Sequence, residues 1–316
     1  MKRSWIYHKC TTAIYFLILL VQCGTIWAQD KITKKPMKLI SYNVYWGMKQ
    51  DSTTDKSKFA EWIRKQDPDI LALQEMNGFT AGIYEFAPKG ANPNNLRKLA
   101  ESYGHPYVVI VREPSTDGSV TFPVAITSKY PIINVNRVLD NNIHGFIEAE
   151  IEGLHFLVTH FHPFSSQKRS YEIDQILATI KSKPTNQKWM FMGDLNSVSP
   201  LDKSAYKDNK LRNFIREDRK KRPHNQNLGK DDELDYTIQQ KILDFGFIDA
   251  LRYFHPEFDA TAPTKLFYDQ SKSPVRYDYL YVSGNMKKDI TKCEIIKDSF
   301  TDIYSDHYPV VLYFNK

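Results

Sequence analysis

This 316-residue chain predicts an α/β fold with mixed strand directions, and three observations carry that expectation. Short apolar runs stop at polar residues, a helical pattern lies between two of those runs, and two late runs open on polar residues instead. Alternation across a strand and the 3.6-residue helical repeat separate the two element types by period. Four runs end in chemistry: 38–42 at Asn43, 70–74 at Glu75, 156–159 at His160, and 188–193 at Asp194 with Asn196 two residues on. Two runs begin with it, Asp278 before 279–282 and Asp306-His307 before 308–314. If the last two strands run antiparallel to the first four, every one of these groups falls on one edge, where open α/β sheets place ligands.

Residues 1–28 stand outside this pattern. Lys2, Arg3 and Lys9 precede an apolar run at 13–21, and small or polar residues follow to Ala28, the plan of a secretory signal peptide. The run is short for a membrane span. Cleavage after Ala28 leaves 29–316 as a single domain, secreted or periplasmic. A second reading takes Leu20-Val21-Gln22-Cys23 as a lipoprotein signal with Cys23 lipidated, the one route to a membrane, although Gln22 is bulky for that position. Cys10 and Cys23 both leave with the leader, so Cys293 remains as a packed thiol without a disulfide partner. Loss of the leader's three basic residues lowers the formal net charge from +6 to about +3, a mildly basic balance that makes no electrostatic case for nucleic acid. An apolar fraction of 41% supplies a core and argues against disorder.

The elements follow in order. After Asn43, residues 51–65 carry Phe59, Trp62 and Ile63 at helical spacing, and Asp67-Pro68-Asp69 stops the helix. Strand, helix and strand make a βαβ unit, which sets the Asn43 and Glu75 strands parallel. Residues 76–95 read as a loop at the site, with Phe79, Tyr84 and Phe86 as an aromatic wall or as ordinary packing. A helix at 94–103, a strand at 107–111, a turn at 112–119 and a strand at 120–127 come next. Residues 146–150 and 155–160 form a hairpin about Gly153, and 170–180 a helix. The charged segment 202–235 is an exposed helical insertion, and its basic run 219–222 reads as solvated surface rather than an anion contact. A helix at 236–243, ended by Gly246, leads to 247–253.

Several residues invite chemistry. Glu75 at the end of an apolar run is costly to bury alone, and a divalent cation would resolve that cost; a helix cap or surface ion pair is the alternative. Asn43 can accept from metal-bound water or donate to a phosphate oxygen. Asp194 and Asn196 make a polar pair on one side of an extended strand end, or else an Asx turn. His160 and His162 flank Phe161 on one face, yet the third ligand that such a zinc site needs is missing.

Taken together the motifs resemble the endonuclease/exonuclease/phosphatase superfamily, which includes deoxyribonuclease I, the apurinic endonucleases, neutral sphingomyelinases and inositol polyphosphate 5-phosphatases. The resemblance rests on SYNVYWG at 41–47, LALQE at 71–75, TSKYPI at 127–132, VTHFHP at 158–163, GDLN at 193–196, RYDYLYVS at 276–283 and SDHYPV at 305–310, all in the family's order. It implies a deoxyribonuclease I-like four-layered α/β sandwich, two mixed sheets packed face to face and flanked by helices. It implies a phosphoesterase, exported on the reading of the leader above, a hydrolase that cleaves phosphodiesters or phosphomonoesters by in-line attack of water. Mg²⁺ is the expected cofactor, with Mn²⁺ or Ca²⁺ as alternatives, held chiefly by Glu75 with Asn43 and Asp306 beside it. His160, Asp194, Asn196, Asp278 and His307 form the catalytic set, with Asn43, His160 and Asn196 on the substrate. Asp278 orients His307, a carboxylate fixing the tautomer and raising the basicity of an imidazole; the general base is Asp194 or His307.

Departures from the family pattern matter too. Lys129 stands where the family usually has arginine, and reads as a solvated hairpin lysine. His160 occupies a position that is tyrosine in the apurinic endonucleases, which leans away from abasic-site repair. The substrate stays open between nucleic acid and a lipid head group or small phosphate ester, and no protein partner is indicated. An inactive binding protein on the same scaffold is disfavoured because none of the acids and histidines is replaced.

Overall fold

Strands that are apolar on both faces need two partners, and here each strand finds them. Leu39, Ile70, Ala72 and Leu312 enter one buried cluster, whereas their neighbours Ile40, Leu71, Leu73 and Val311 enter another. The computed structural model describes residues 36–80, 94–112, 121–140 and 142–316. The leader at 1–28, Tyr84, Phe86 and most of the turn expected at 112–119 lie outside the described residues.

In chain order the strands of the two main sheets are β1 (Met37–Asn43), β2 (Ile70–Gln74), β3 (Tyr107–Ile110), β4 (Ala125–Ser128), β5 (Ile133–Val138), β6 (Phe146–Ile151), β7 (Leu154–His160), β8 (Trp189–Asp194), β9 (Phe247–Asp249), β10 (Asp278–Ser283), β11 (Ile290–Ile295) and β12 (Val310–Phe314). The α-helices of five or more residues are α1 (Ser57–Gln66), α2 (Leu96–Ser102), α3 (Ser166–Lys181), α4 (Lys210–Lys221), α5 (Thr237–Asp244) and α6 (Ala250–Phe254). One six-stranded sheet runs β11-β12-β1-β2-β4-β3 and the other β9-β10-β8-β7-β6-β5. Their patterns match. Each has a central parallel pair, β1 with β2 and β8 with β7, flanked on both sides by antiparallel neighbours.

Leu39, Ile126, Ile147, Phe156, Met190, Met192 and Leu280 meet between the sheets. Phe59, Trp62 and Ile63 of α1 and Leu96 and Leu99 of α2 cover the outside of the first sheet, while Ile173 and Ile176 of α3 and Ile238 and Ile242 of α5 cover the second. The result is the four-layered sandwich. The catalytic candidates therefore divide between two sheets, not along the edge of one.

Several expectations shift in detail. Helix α1 starts at Ser57 rather than 51, because the Asp51 carboxylate takes the amides of Thr53 (3.0 Å) and Phe59 (3.1 Å) and holds the preceding residues as a turn. Helix α3 begins at Ser166, four residues early, where the Ser165 hydroxyl accepts from Lys168 N as an N-cap. Phe79 is fully buried in the outer core of the first sheet, so it packs and walls nothing; burying such a ring is worth about 2–3 kcal/mol. Lys129 pairs with Asp67 (2.6 Å) beside the start of β2, the end remote from Glu75. In the insertion, Leu211 and Ile215 of α4 join Tyr206, Leu228 and Val275 in a small cluster of their own. Its basic run is occupied at the surface, Arg219 with Asp232 and Arg222 with Asp218. Among the described residues no helix is long and apolar enough to cross a membrane.

Two buried devices hold the loops. The Arg276 guanidinium is wholly inaccessible; it donates to Asp202 (2.7 Å) and Asp249 (3.0 Å) and lies 4.4 Å over the Tyr279 ring. That triad joins the insertion and the end of β9 to the strand that carries Asp278. Replacing Arg276 by Met strands two buried carboxylates, and we expect a loss of about 3–5 kcal/mol in urea unfolding. His105 donates from Nε2 to the Pro68 carbonyl (2.8 Å) and accepts at Nδ1 from Thr127 (2.8 Å). Burial pushes its imidazole down to about 4. A depressed histidine favours folding above its unfolded pKa, about 6.5, and loses that contribution as pH falls toward the folded value. Thermal melts should therefore show stability dropping from pH 6.5 to 4, with His105→Gln removing up to about 3 kcal/mol of that dependence.

Candidate active site

The matching strand patterns bring equivalent strand ends together. On the first sheet β1 delivers Asn43 and β2 delivers Glu75, while the residues before β12 supply Asp306 and His307. On the second, Asp194 is in register with His160 on one side and with Asp278 on the other. The Asn43 carboxamide links the two sets, its Nδ2 donating to Asp194 Oδ2 (3.1 Å) and to Glu75 Oε1 (3.1 Å).

Each acid has a distinct setting. Glu75 sits at φ +61°, a left-handed conformation uncommon outside glycine and asparagine, and its other oxygen accepts from Trp46 N at 2.8 Å. Burial and the neighbouring Asp306 charge raise its carboxyl above the usual range. No Lys or Arg pairs with Glu75 or Asp306 among the described residues. Burial pushes Asp194 up to about 7 despite the opposing pull of His307. Asp278 is buried and accepts from His307 Nδ1 at 2.7 Å, with its second oxygen unpartnered. Burial alone would lower His307, but the charges of Asp278, Asp194 and Asp306 overcome it and hold the imidazolium. Its Nε2 lies 3.7 Å from Asp194 Oδ2.

His160 differs in kind. Its ring stacks on His144 at 4.1 Å, its Nε2 is 3.5 Å from Asp194 Oδ2, and burial keeps it neutral. The two histidines thus face one carboxylate in opposite charge states. His162 makes no metal pair with it: its Nδ1 accepts from Phe164 N (3.1 Å). Asn196 does not continue the strand. Extended structure stops at Asp194, and Asn196 adopts φ +44°, with its amide on Asp194 Oδ1 (2.9 Å) and its side chain on the Phe161 carbonyl (3.0 Å). The Asx turn is present, and it fixes the Asp194 carboxylate.

Family comparison accords with this geometry. The model described as the Endonuclease/Exonuclease/phosphatase family matches residues 40–307. The chain belongs to that family. Its nucleases and phosphatases are hydrolases acting on ester bonds, and so is this chain. Among curated proteins it is 26% identical over 303 residues to the DNA repair nuclease APEX1 of Danio rerio, covering 90% of this chain and 86% of the relative. Among solved structures, an AP endonuclease from Archaeoglobus fulgidus (TM-score 0.59) and the 3′-5′ exonuclease NExo from Neisseria meningitidis (TM-score 0.63) share the fold. Each is 20% identical, with 89% of this chain and 100% of theirs covered.

As a family site, the edge has donors for a cation. Glu75 and Asp306 are neighbouring acids that no Lys or Arg pairs with among the described residues, and an oxygen donor set of that kind fits a hard divalent ion. A tighter group, Asp194, Asp278 and His307, has ligand atoms within 4.8 Å of one another and was not foreseen as ligands. Its internal Asp278–His307 hydrogen bond makes it better suited to proton traffic than to coordination.

Sequence reading missed three supports. Trp46 holds Glu75 through its backbone amide. Ser305 donates to the Asn43 carbonyl (2.7 Å) and accepts from His307 N (3.2 Å), tying the two motifs. His144 backs His160 from a loop 16 residues away. None has a spacing signal; Trp46 and Ser305 were visible only as members of the motifs around Asn43 and Asp306. Asp278→Asn keeps the shape but removes the charge that holds His307, and turnover should fall by about 10²–10⁴-fold in steady-state kinetics while urea stability changes little.

Proposed function

We propose that the chain is a cation-dependent phosphodiesterase of nucleic acid or nucleotides, working by in-line attack of water. The observation that carries this is a carboxylate, Asp194, set between a neutral His160 and a charged His307 at an edge where, among the described residues, no Lys or Arg pairs with Glu75 or Asp306. Glu75, with Asp306 and Asn43 beside it, would hold a cation of the magnesium class; manganese and calcium make similar demands for oxygen ligands. When bound, that ion would polarise a phosphoryl oxygen and offset charge on the leaving oxygen.

The protein groups divide the remaining work. Asp194 accepts a hydrogen bond from the attacking water and then its proton, burial having raised its carboxyl above the usual range and so made it a stronger base for that transfer. His307, kept protonated by Asp278, is a donor toward a non-bridging oxygen and not a base. Neutral His160 donates to a second oxygen, and Asn43 keeps the Asp194 and Glu75 carboxylates in register. Asn196 acts through Asp194, fixing the direction of its lone pairs. Preorganised donors of this kind supply much of the acceleration in phosphoryl transfer.

Names of similar proteins favour a nucleic-acid substrate: a DNA repair nuclease, and a Neisseria 3′ phosphatase bound to product DNA hairpin. Lipid head groups and small phosphate esters are the competing substrates. The leader plan at 1–28 supports export, which N-terminal sequencing of protein recovered from outside the cytoplasm would test. Hydrolysis of bis-p-nitrophenyl phosphate and p-nitrophenyl phosphate should require added Mg²⁺ or Mn²⁺ and stop with chelator. Glu75→Gln and Asp194→Asn should each lower turnover by at least about 100-fold. Turnover indifferent to both chelator and Glu75→Gln would remove the reading.

A further inference from the structure

The row of groups across the second sheet, Asp278, Asp194 and His160, does not end at His160. Beyond it lies a cleft of about 400 Å³, lined by Phe122, His144, His162, Phe164, Lys168 and Gln226 among others, with no carboxylate in its wall. His144 belongs both to the cleft and to the stacked pair that backs the phosphate-facing histidine. The cleft is thus one ring removed from the reacting edge.

Its polar groups are directional. The Nδ1 of His162 accepts from Phe164 N, so Nε2 carries the proton; the side chain is only 8% exposed, and Nε2 has no partner among the described residues. The Nδ1 of His144 donates to the His160 carbonyl (3.0 Å), so its Nε2 is an acceptor, likewise without a partner. Burial lowers His162 to about 4 and His144 to about 3, and both are neutral at physiological pH. One donor and one acceptor without partners among the described residues therefore face a space with aromatic walls.

Those walls are braced by the insertion and by Trp46, and His224 itself lines the cleft. Arg222 and His224 of the insertion contact the Phe164 ring at 5.3 and 5.0 Å, and Phe122 meets His144 at 5.5 Å and Trp46 at 4.8 Å. Backbone pairing of Gln226 with Phe164 (2.7 Å) and Ser166 (3.1 Å) fixes the far side. A simple anion site would need more fixed charge than Lys168, with His224 beside it, provides. A planar ring with hydrogen-bonding edges uses both the aromatic surface and the imidazole pair.

We infer that this cleft is a nucleobase subsite, seating the base of the nucleotide whose phosphate lies at Asp194, against Phe164 and Phe122 and with its edge on His162 and His144. The inference rests on the phosphodiesterase reading and narrows its substrate to nucleotides. Lys168, which has no ion-pair partner among the described residues, is placed to meet an adjoining phosphate.

Titration calorimetry should compare adenosine and thymidine 5′-monophosphates with deoxyribose 5-phosphate, which has the phosphate but no base. At least one nucleotide should bind about tenfold or more tightly than the sugar phosphate. Phe164→Ala should abolish that difference and Phe164→Tyr should keep it, while all three proteins bind deoxyribose 5-phosphate alike. Equal affinity for the base-free and base-bearing ligands overturns the subsite, as does an advantage that survives Phe164→Ala or a parallel loss of deoxyribose 5-phosphate binding in that variant. A wild type silent toward bis-p-nitrophenyl phosphate removes the hydrolase reading alone, and the calorimetry still decides the cleft.

Discussion

Four carboxylates, Glu75, Asp194, Asp278 and Asp306, crowd one end of a sandwich with His307 the imidazolium among them. Like charges about 4 Å apart repel by about 4 kcal/mol at the effective dielectric of a protein edge. Such a cluster persists only on a scaffold too stiff to let it relax. The two sheets supply that stiffness, because their facing sides share one close-packed cluster and their outer sides are sealed by helices. The Asn43 carboxamide then bridges the acids of the two sheets, donating to Asp194 and to Glu75.

Close approach of the strands also makes demands on single residues. At Gly193, φ is +145° and a Cβ would come within 1.9 Å of the Thr159 carbonyl oxygen, so any side chain would push β8 away from β7 just before Asp194. Gly47 is fixed in the same manner, with a Cβ that would meet the Asn77 carbonyl oxygen at 2.1 Å. Its amide donates to the Glu75 carbonyl at 2.7 Å, so the turn after Asn43 and the left-handed Glu75 stabilise each other. The backbone around the acids is therefore shaped as tightly as the acids are.

The insertion after β8 gives the family edge its local character. It is anchored below by the Arg276 triad and above by Gln226, and it carries Arg222 and His224 to the back of Phe164. Its charge is mostly spent on internal pairs. What it contributes to the site is placement of an aromatic wall, not electrostatic attraction.

Much of this was legible in the chain itself. Strand identity, the βαβ unit and the polar strand ends follow from period and from the cost of burying a lone carboxylate, which are local properties. The resemblance of the ordered motifs supplied the layering and the Asp278–His307 pairing. The conformation of Asn196 stayed open between two readings because an Asx turn and a strand end look alike in sequence. Phe79 was ambiguous for a similar reason, since an aromatic residue in a polar stretch says nothing of which side it packs on. The division of the acids between two sheets, the Asn43 bridge and the opposite charge states of His160 and His307 arise only when distant strand ends meet. So does the cleft beyond His160, whose walls come from segments that share no spacing. Sequence determined which groups had to reach an edge, because burial and period act along the chain; tertiary structure decided which of them touch, because electrostatic coupling depends on distance through space.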